Sequence, residues 1–85
     1  MMVKLIYFAW IRERIGKSEE DIDLPEGVET IGDLISHLNA RGDGYAAAMA
    51  VPEVVHAAIN QQHCLHEDPI GEAREIALFP PMTGG

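Results

Sequence analysis

The chain has 85 residues, a formal net charge of −8, and a composition of 47% hydrophobic and 24% charged residues. This length predicts a single domain with a modest core. The acidity argues against a nucleic-acid binder, because such a protein needs a basic face to neutralise phosphates. It suits a protein partner with a basic docking surface, although acidity also simply keeps a small protein soluble.

Cysteine usage and hydrophobic runs indicate the cellular setting. Cys64 is the one cysteine, so no internal disulfide can form, and we expect a reducing, cytoplasmic location. The apolar stretch at residues 1–8 is short and lacks a basic leader, which argues against a signal peptide. No run approaches the ~18 apolar residues of a membrane span, so we expect no membrane partner.

The first part of the chain predicts two paired strands. Residues 3–10 are aliphatic, aromatic and β-branched, without Gly or Pro, which favours a strand that carries Phe8 and Trp10 on one face. Residues 11–16 indicate a short polar turn, or one helical turn ended by Gly16. Alternation at residues 19–24 predicts a second strand, antiparallel to the first and ended by Pro25.

The clearest helix begins after Thr30. Thr30 and Asp33 have the spacing of a capping box, and Asp33 suits the positive end of the helix dipole. Apolar residues then recur at i, i+3, i+4 and i+7, which predicts one stripe that packs on a sheet. That stripe consists of Ile31, Leu34, Ile35 and Leu38.

The remaining segments complete an α+β fold. Residues 44–50 favour a short second helix, and strands are expected at 54–60, 63–65 and 75–79. A right-handed crossover would place the first and last strands side by side in parallel, with helices on one face of a mixed sheet. Phe8 and Phe79 would then share the other face, where a bare aromatic patch indicates a protein interface unless a loop covers it.

The last eight residues, 78–85, carry the most specific signal. Pro80 and Pro81 lack an N–H group and have a fixed φ, so they end the last strand and favour an extended path. From Pro81 to Gly85 the chain could reach roughly 16 Å. The final glycines leave the terminal carboxylate free of side chains, so it could enter another protein's nucleotide site and react once activated. The alternative is a frayed end that happens to finish in Gly-Gly.

A second group of reactive residue types consists of His63, Cys64, His66 and Asp68. Their spacing matches no closed zinc pattern, and only one of them is a thiol. A Cys–His nucleophile pair is disfavoured because adjacent residues of a strand face opposite ways. We therefore expect no metal site, and a Cys64 that acts as a small buried hydrophobe.

On these residues the chain resembles the small subunits of molybdopterin synthase, which are sulfur carriers with the ubiquitin-like β-grasp fold. The resemblance spans the whole chain and depends on residues 4–9 with 12, 13 and 16, on residues 58–60, and above all on residues 76–85. In the last stretch an aromatic residue, two prolines, two variable residues and Gly-Gly follow one another, as at the end of the family's carriers. The chain departs from the family's pattern in the turn at 71–75 and in the polar pair His63 and Cys64.

The resemblance implies a β-grasp domain at residues 1–80 and a flexible, extended tail at 81–85. It implies that an adenylyltransferase related to the ubiquitin-activating enzymes uses ATP to adenylate Gly85, and that a sulfur donor converts it to a thiocarboxylate. The large catalytic subunit, in a heterotetramer, would receive this sulfur for precursor Z. The chain itself would bind no cofactor and supply no catalytic side chain. The residues implied to contact the partner are Phe8, Phe79, Pro80, Pro81, Met82, Thr83 and Gly84.

Three other interpretations remain open. The chain could be a β-grasp sulfur carrier of another pathway, such as thiamine synthesis, although Phe79, Pro80 and Pro81 argue against it. It could be a ubiquitin-like modifier that is joined to lysines. It could also be a binding module whose tail is inert.

Overall fold

The computed structural model describes residues 2–81 of the chain. In chain order the elements are β1 (Met2–Tyr7), α1 (Ala9–Ile15), β2 (Glu19–Asp23), α2 (Ile31–Asn39), α3 (Asp43–Ala48), a 3-10 turn (Pro52–Val54), β3 (His56–Ile59), β4 (Gln62–Cys64) and β5 (Glu75–Phe79). The strands form one mixed sheet in the order β2-β1-β5-β3-β4. This arrangement is the predicted α+β, ubiquitin-like architecture.

The last strand occupies the centre of the sheet. It pairs in parallel with β1, where Leu5 lies opposite Ile76 and Tyr7 opposite Leu78. On its other side it pairs antiparallel with β3. The prediction that the first and last strands are parallel neighbours is therefore confirmed, and the chain leaves the sheet from its central strand.

Helix α2 supplies the other half of the core. The side chain of Thr30 accepts a hydrogen bond from the N–H of Asp33, and the Asp33 carboxylate accepts one from the N–H of Thr30, both at 3.1 Å. This is the predicted capping box, which fixes where the helix begins. The core between α2 and the sheet is made by the buried residues Val3, Leu5, Tyr7, Ile31, Leu34, Ile35, Leu38, Ala57, Ile76 and Leu78.

The prediction that β1 continues to Trp10 is wrong. The strand ends at Tyr7, and Ala9 turns the chain out of the sheet with a φ of 52°. Helix α1 follows, because a helical path buries Ile11 completely and brings Trp10 against the core, with the Arg14 guanidinium 4.5 Å from the Trp10 ring. The predicted stop at Gly16 is confirmed, since this residue has a φ of 91° and caps α1.

The connections differ from the predictions only locally. The pairing of β1 with β2 is antiparallel as expected, but α1 lies in the connection between them. The turn after β3 is formed by Asn60 and Gln61, both with positive φ, as in a tight two-residue hairpin. None of the described helices has the length and apolar character needed to cross a membrane.

Candidate functional site

An apolar groove lies where β5 leaves the sheet. Because β1 and β5 run in parallel, their C-terminal ends lie at the same edge, and the N–H of Phe8 donates a 3.1 Å hydrogen bond to the carbonyl of Leu78. A cavity of about 340 Å³ opens on the surface at this point. We call it the exit groove; it is lined by Phe8, Ala9, Ala77, Phe79, Pro80 and Pro81.

The local backbone conformation keeps the two phenylalanine rings of the exit groove at the surface. Phe8 has extended φ and ψ angles, and Ala9 after it has the left-handed conformation in which α1 begins. Phe8 therefore stays at the surface, where 46% of the residue is exposed. In β5, Leu78 is fully buried on the core side while Ala77 and Phe79 are half-buried on the opposite face. The structure thus places Phe8 and Phe79 together in one groove. Their contact with a partner stays a prediction.

Two imidazoles flank Phe79 on the outer face of the sheet. His56 of β3 lies directly opposite Phe79, with ring centroids 6.0 Å apart and planes at 29°. His63 of β4 meets the same ring edge-on, at 5.2 Å and 64°. Sequence reasoning did not single out His56, and it considered His63 only as a metal ligand or as the partner of Cys64 in a nucleophile pair. The signal that would have found them is the strand register, which brings alternate residues of three strands onto one face.

The residues around Cys64 do not form a reactive centre. Cys64 lies opposite Ala57 and His63 lies opposite Ala58, so the thiol and this imidazole fall on alternate faces of β4. Burial, followed by the charge of Asp68, raises the pKa of the Cys64 thiol, which disfavours the reactive thiolate. Within residues 2–81, no group of three or more His, Cys, Asp or Glu side chains is arranged to hold a metal ion.

The neighbouring polar groups have structural partners instead. The Nε2 atom of His66 lies 2.6 Å from the carbonyl oxygen of Val55, and the Asp68 carboxylate accepts a 2.7 Å hydrogen bond from the N–H of Leu65. These contacts fix the loop after β4 against the start of β3. They account for His66 and Asp68 without a ligand.

The end of the chain is described only in part. Pro80 and Pro81 line the exit groove, and their role in setting the direction of the tail stays a prediction. Met82, Thr83, Gly84 and Gly85, which include the predicted reacting carboxylate, lie outside the described residues. The division between a domain at 1–80 and a tail at 81–85 stays a prediction.

Comparison with known proteins identifies the family. The model of the ThiS family matches residues 5–85. A molybdopterin synthase sulfur carrier subunit of Escherichia coli (strain K12) is 34% identical over 86 residues, which cover 99% of this chain and 100% of that protein.

Two solved structures are similar to the fold as well. One is a putative molybdopterin converting factor subunit 1 from Pyrococcus furiosus, with a TM-score of 0.71 and 27% identity over 96% of this chain and 99% of that one. The other belongs to a complex of subunits 1 and 2 of the molybdopterin-converting factor from Helicobacter pylori 26695, with a TM-score of 0.64 and 22% identity over 100% of both chains. The chain belongs to the ThiS family and, within it, to the molybdopterin synthase sulfur carrier subunits.

Proposed function

We propose that this chain carries sulfur on the C-terminal carboxylate of Gly85 and delivers it for molybdopterin synthesis. The observation that carries the proposal is the exit groove, an apolar surface placed where the central strand continues toward Gly-Gly. The relationship to sulfur carrier subunits over the whole chain supports the same conclusion. The chain offers a docking surface beside a reactive terminus, while the catalytic side chains belong to its partners.

The proposed cycle begins with activation of the terminus. A carboxylate is a poor electrophile, so an adenylyltransferase transfers AMP from ATP to Gly85 and releases pyrophosphate. A donor of sulfur at the sulfide level then attacks the acyl carbon, the bond to AMP breaks, and a thiocarboxylate remains. Gly84 and Gly85 have no Cβ, so the acyl carbon can be approached closely inside a narrow site.

Delivery requires a second docking event. We propose that the large subunit of molybdopterin synthase covers the exit groove and receives the tail, where the thiocarboxylate sulfur passes to precursor Z. Phe8 and Phe79 supply the apolar contact area, and Pro80 and Pro81 orient the exit. Met82 and Thr83 follow them into the partner. The solved complex of subunits 1 and 2 from Helicobacter pylori shows that a protein of this fold assembles with a second subunit.

The intact mass of the chain tests the proposal. The chain is produced with its own C-terminus and incubated with the adenylyltransferase, ATP and a sulfur donor. We expect a species in which one oxygen is replaced by sulfur, and we expect it to yield molybdopterin when the large subunit and precursor Z are added. A variant that lacks Gly85 is the control: it should form no such species and should unfold at the same temperature as the parent chain.

Each alternative gives a different result. Adducts in which Gly85 is joined to lysine side chains would identify a protein modifier. A thiocarboxylate that forms but gives no molybdopterin would indicate a carrier for another pathway. If no thiocarboxylate forms under any of these conditions, the proposal is wrong.

A further inference from the structure

The outer face of the sheet carries an imidazole on each side of Phe79. His56 and His63 are exposed, whereas Phe79 is half-buried between them, with ring centroids 6.0 and 5.2 Å away. The three side chains come from three neighbouring strands, so the sheet holds them in place. A protein that covers Phe79 must therefore cover at least part of this imidazole pair.

The short segment between the exit groove and Gly85 limits which proteins can cover the groove. Pro81 is four residues before Gly85, and the segment from Pro81 to Gly85 can span at most roughly 16 Å. Phe79 and Pro81 line the same groove. A protein that acts on the carboxylate of Gly85 must accordingly lie against the exit groove and the face next to it. In the proposed function the adenylyltransferase and the large subunit both act on this carboxylate. We take the large subunit as the occupant, because a protein of this fold forms a complex with such a second subunit.

The charged residues near His56 and His63 indicate the chemistry of the partner surface that would fit here. The lining of the exit groove contains no ionisable side chain among the described residues. The nearest acidic groups lie beside His56, because Glu53 and Glu67 line a cavity that His56 also lines. That cavity is also lined by Val55, Cys64, Leu65 and His66. At the far end of β5, Glu75 pairs with the basic Lys4 of β1. The complementary partner surface is apolar at its centre and basic at its rim.

Protonation of the imidazoles would oppose such a partner in two ways. An imidazolium must lose water when an apolar surface covers it, which disfavours the charged form. It would also face the basic rim with a charge of the same sign. Because histidine gains its proton between about pH 8 and about pH 5, both effects grow as the pH falls.

We propose that His56 and His63 make docking of the large subunit dependent on pH, with association strongest when both rings are neutral. The inference depends on the proposed function, since it names the regulation of the same docking surface. The complex binds fewer protons than the separated proteins, so acidification releases the carrier. The pair acts on the affinity for the partner and takes no part in the sulfur chemistry.

The dissociation constant of the chain and its large subunit tests this proposal. It is measured by titration calorimetry between about pH 8 and about pH 5.5 at constant ionic strength. If each imidazole must be neutral in the complex, we expect up to about tenfold weakening per ring, and thus up to about 100-fold in total. In the double variant His56→Leu and His63→Leu, whose side chains carry no proton, the change should fall below about threefold.

Matched variants separate this effect from others. His37→Leu, on α2 across the core from Phe79, should keep the full pH dependence. His56→Gln and His63→Gln, each made singly, keep a polar side chain and should each remove about half of the effect on a logarithmic scale. Circular dichroism at each pH verifies that every variant remains folded.

The outcomes distinguish the two proposals. If the parent chain binds near pH 8 and the double variant has the same pH dependence, the inference is overturned while the proposed function stands. The same conclusion follows if the affinity of the parent chain does not change with pH. If the parent chain does not bind its large subunit at all near pH 8, both proposals are overturned.

Discussion

The hydroxyl of Tyr7 donates a 2.7 Å hydrogen bond to the carboxylate of Glu20, although only 1% of Tyr7 is exposed. Tyr45 donates a second hydrogen bond to the same carboxylate oxygen at 2.6 Å, and Arg41 lies 3.4 Å from the other oxygen. One carboxylate on β2 thus links β1 to α3 and to the end of α2. It also satisfies the only polar atom of a buried tyrosine side chain.

Glu20→Gln should weaken this link. The substitution keeps the shape but removes the charge that strengthens both tyrosine hydrogen bonds, so we expect the free energy of unfolding to fall by about 1–3 kcal/mol. Urea unfolding at neutral pH measures the loss. Glu26→Gln, at an exposed position, is the control and should change stability by less than about 0.5 kcal/mol. Equal losses in the two variants would contradict the role of Glu20.

The same carboxylate should make stability sensitive to acid. Burial opposes ionisation of Glu20, but hydrogen bonds from Tyr45 and Tyr7 and the charges of Lys17 and Arg41 outweigh it and lower the pKa of the carboxyl. A pKa lowered in the folded state stabilises the fold above the unfolded pKa, and this contribution is lost as the pH falls through the folded pKa. Thermal unfolding below about pH 4.5 should therefore show a steeper loss in the parent chain than in Glu20→Gln. Parallel curves would rule out this assignment.

Gly44→Ala should be strongly destabilising. A Cβ atom at Gly44 would lie on the carbonyl oxygen of Arg14, a backbone atom that cannot move without separating α1 from α3. We expect a loss of about 2–3 kcal/mol or more, measured by urea unfolding. Gly32→Ala is the matched control, because its Cβ would have only ordinary contacts, the nearest 3.4 Å from the carbonyl oxygen of His66. That variant should be neutral or slightly stabilised, since Gly disfavours a helix relative to Ala by about 0.5–1 kcal/mol.

Ala9→Gly should stabilise the fold. Ala9 has a φ of 52°, a left-handed conformation that disfavours residues with a Cβ by about 1 kcal/mol. Removing the Cβ relieves this strain, so we expect the unfolding temperature to rise. Ala46→Gly, in the interior of α3, makes the same chemical change where no such strain exists and should lower stability by about 0.5–1 kcal/mol. Shifts of the same sign in both variants would show that Ala9 is not strained.

Phe8→Ala should weaken binding of the large subunit while leaving the fold intact. Phe8 is 46% exposed and lines the exit groove, so its ring contributes more to docking than to the core. An aromatic residue at the centre of an interface contributes about 1–3 kcal/mol, so we expect the dissociation constant to rise about 5- to 150-fold. Val51→Ala is the control, since Val51 is 52% exposed but lies outside the groove. Similar weakening by both substitutions would argue against the groove as the docking site.

Local signals were sufficient to predict some parts of the fold. The capping box at Thr30 and Asp33 and the apolar stripe of α2 involve residues a few positions apart, so they can be recognised without the tertiary structure. The same holds for Gly16, whose positive φ is the usual way to end a helix. The parallel pairing of β1 and β5 followed from the handedness of the crossover connection.

The details that sequence reasoning missed depend on distant contacts. The segment after Tyr7 suits a strand by composition, and it becomes a helix because Ile11 fills the core against other elements. His56 and His63 meet at Phe79 only through the register of three strands. That register is set by the packing of the whole sheet, which no short window of sequence contains. The candidate site was thus predictable for its two phenylalanines and prolines, but not for the imidazoles beside them.

The central position of β5 has a mechanical consequence. This strand is hydrogen-bonded on both sides, to β1 in parallel and to β3 antiparallel, and it is the strand that continues into Pro80 and Pro81. A force that pulls on the C-terminus therefore acts along β5, parallel to the neighbouring strands. The hydrogen bonds to β1 and to β3 share this load, instead of breaking one after another. Tension of the kind that the proposed docking of the tail would produce is therefore spread over two neighbouring strands.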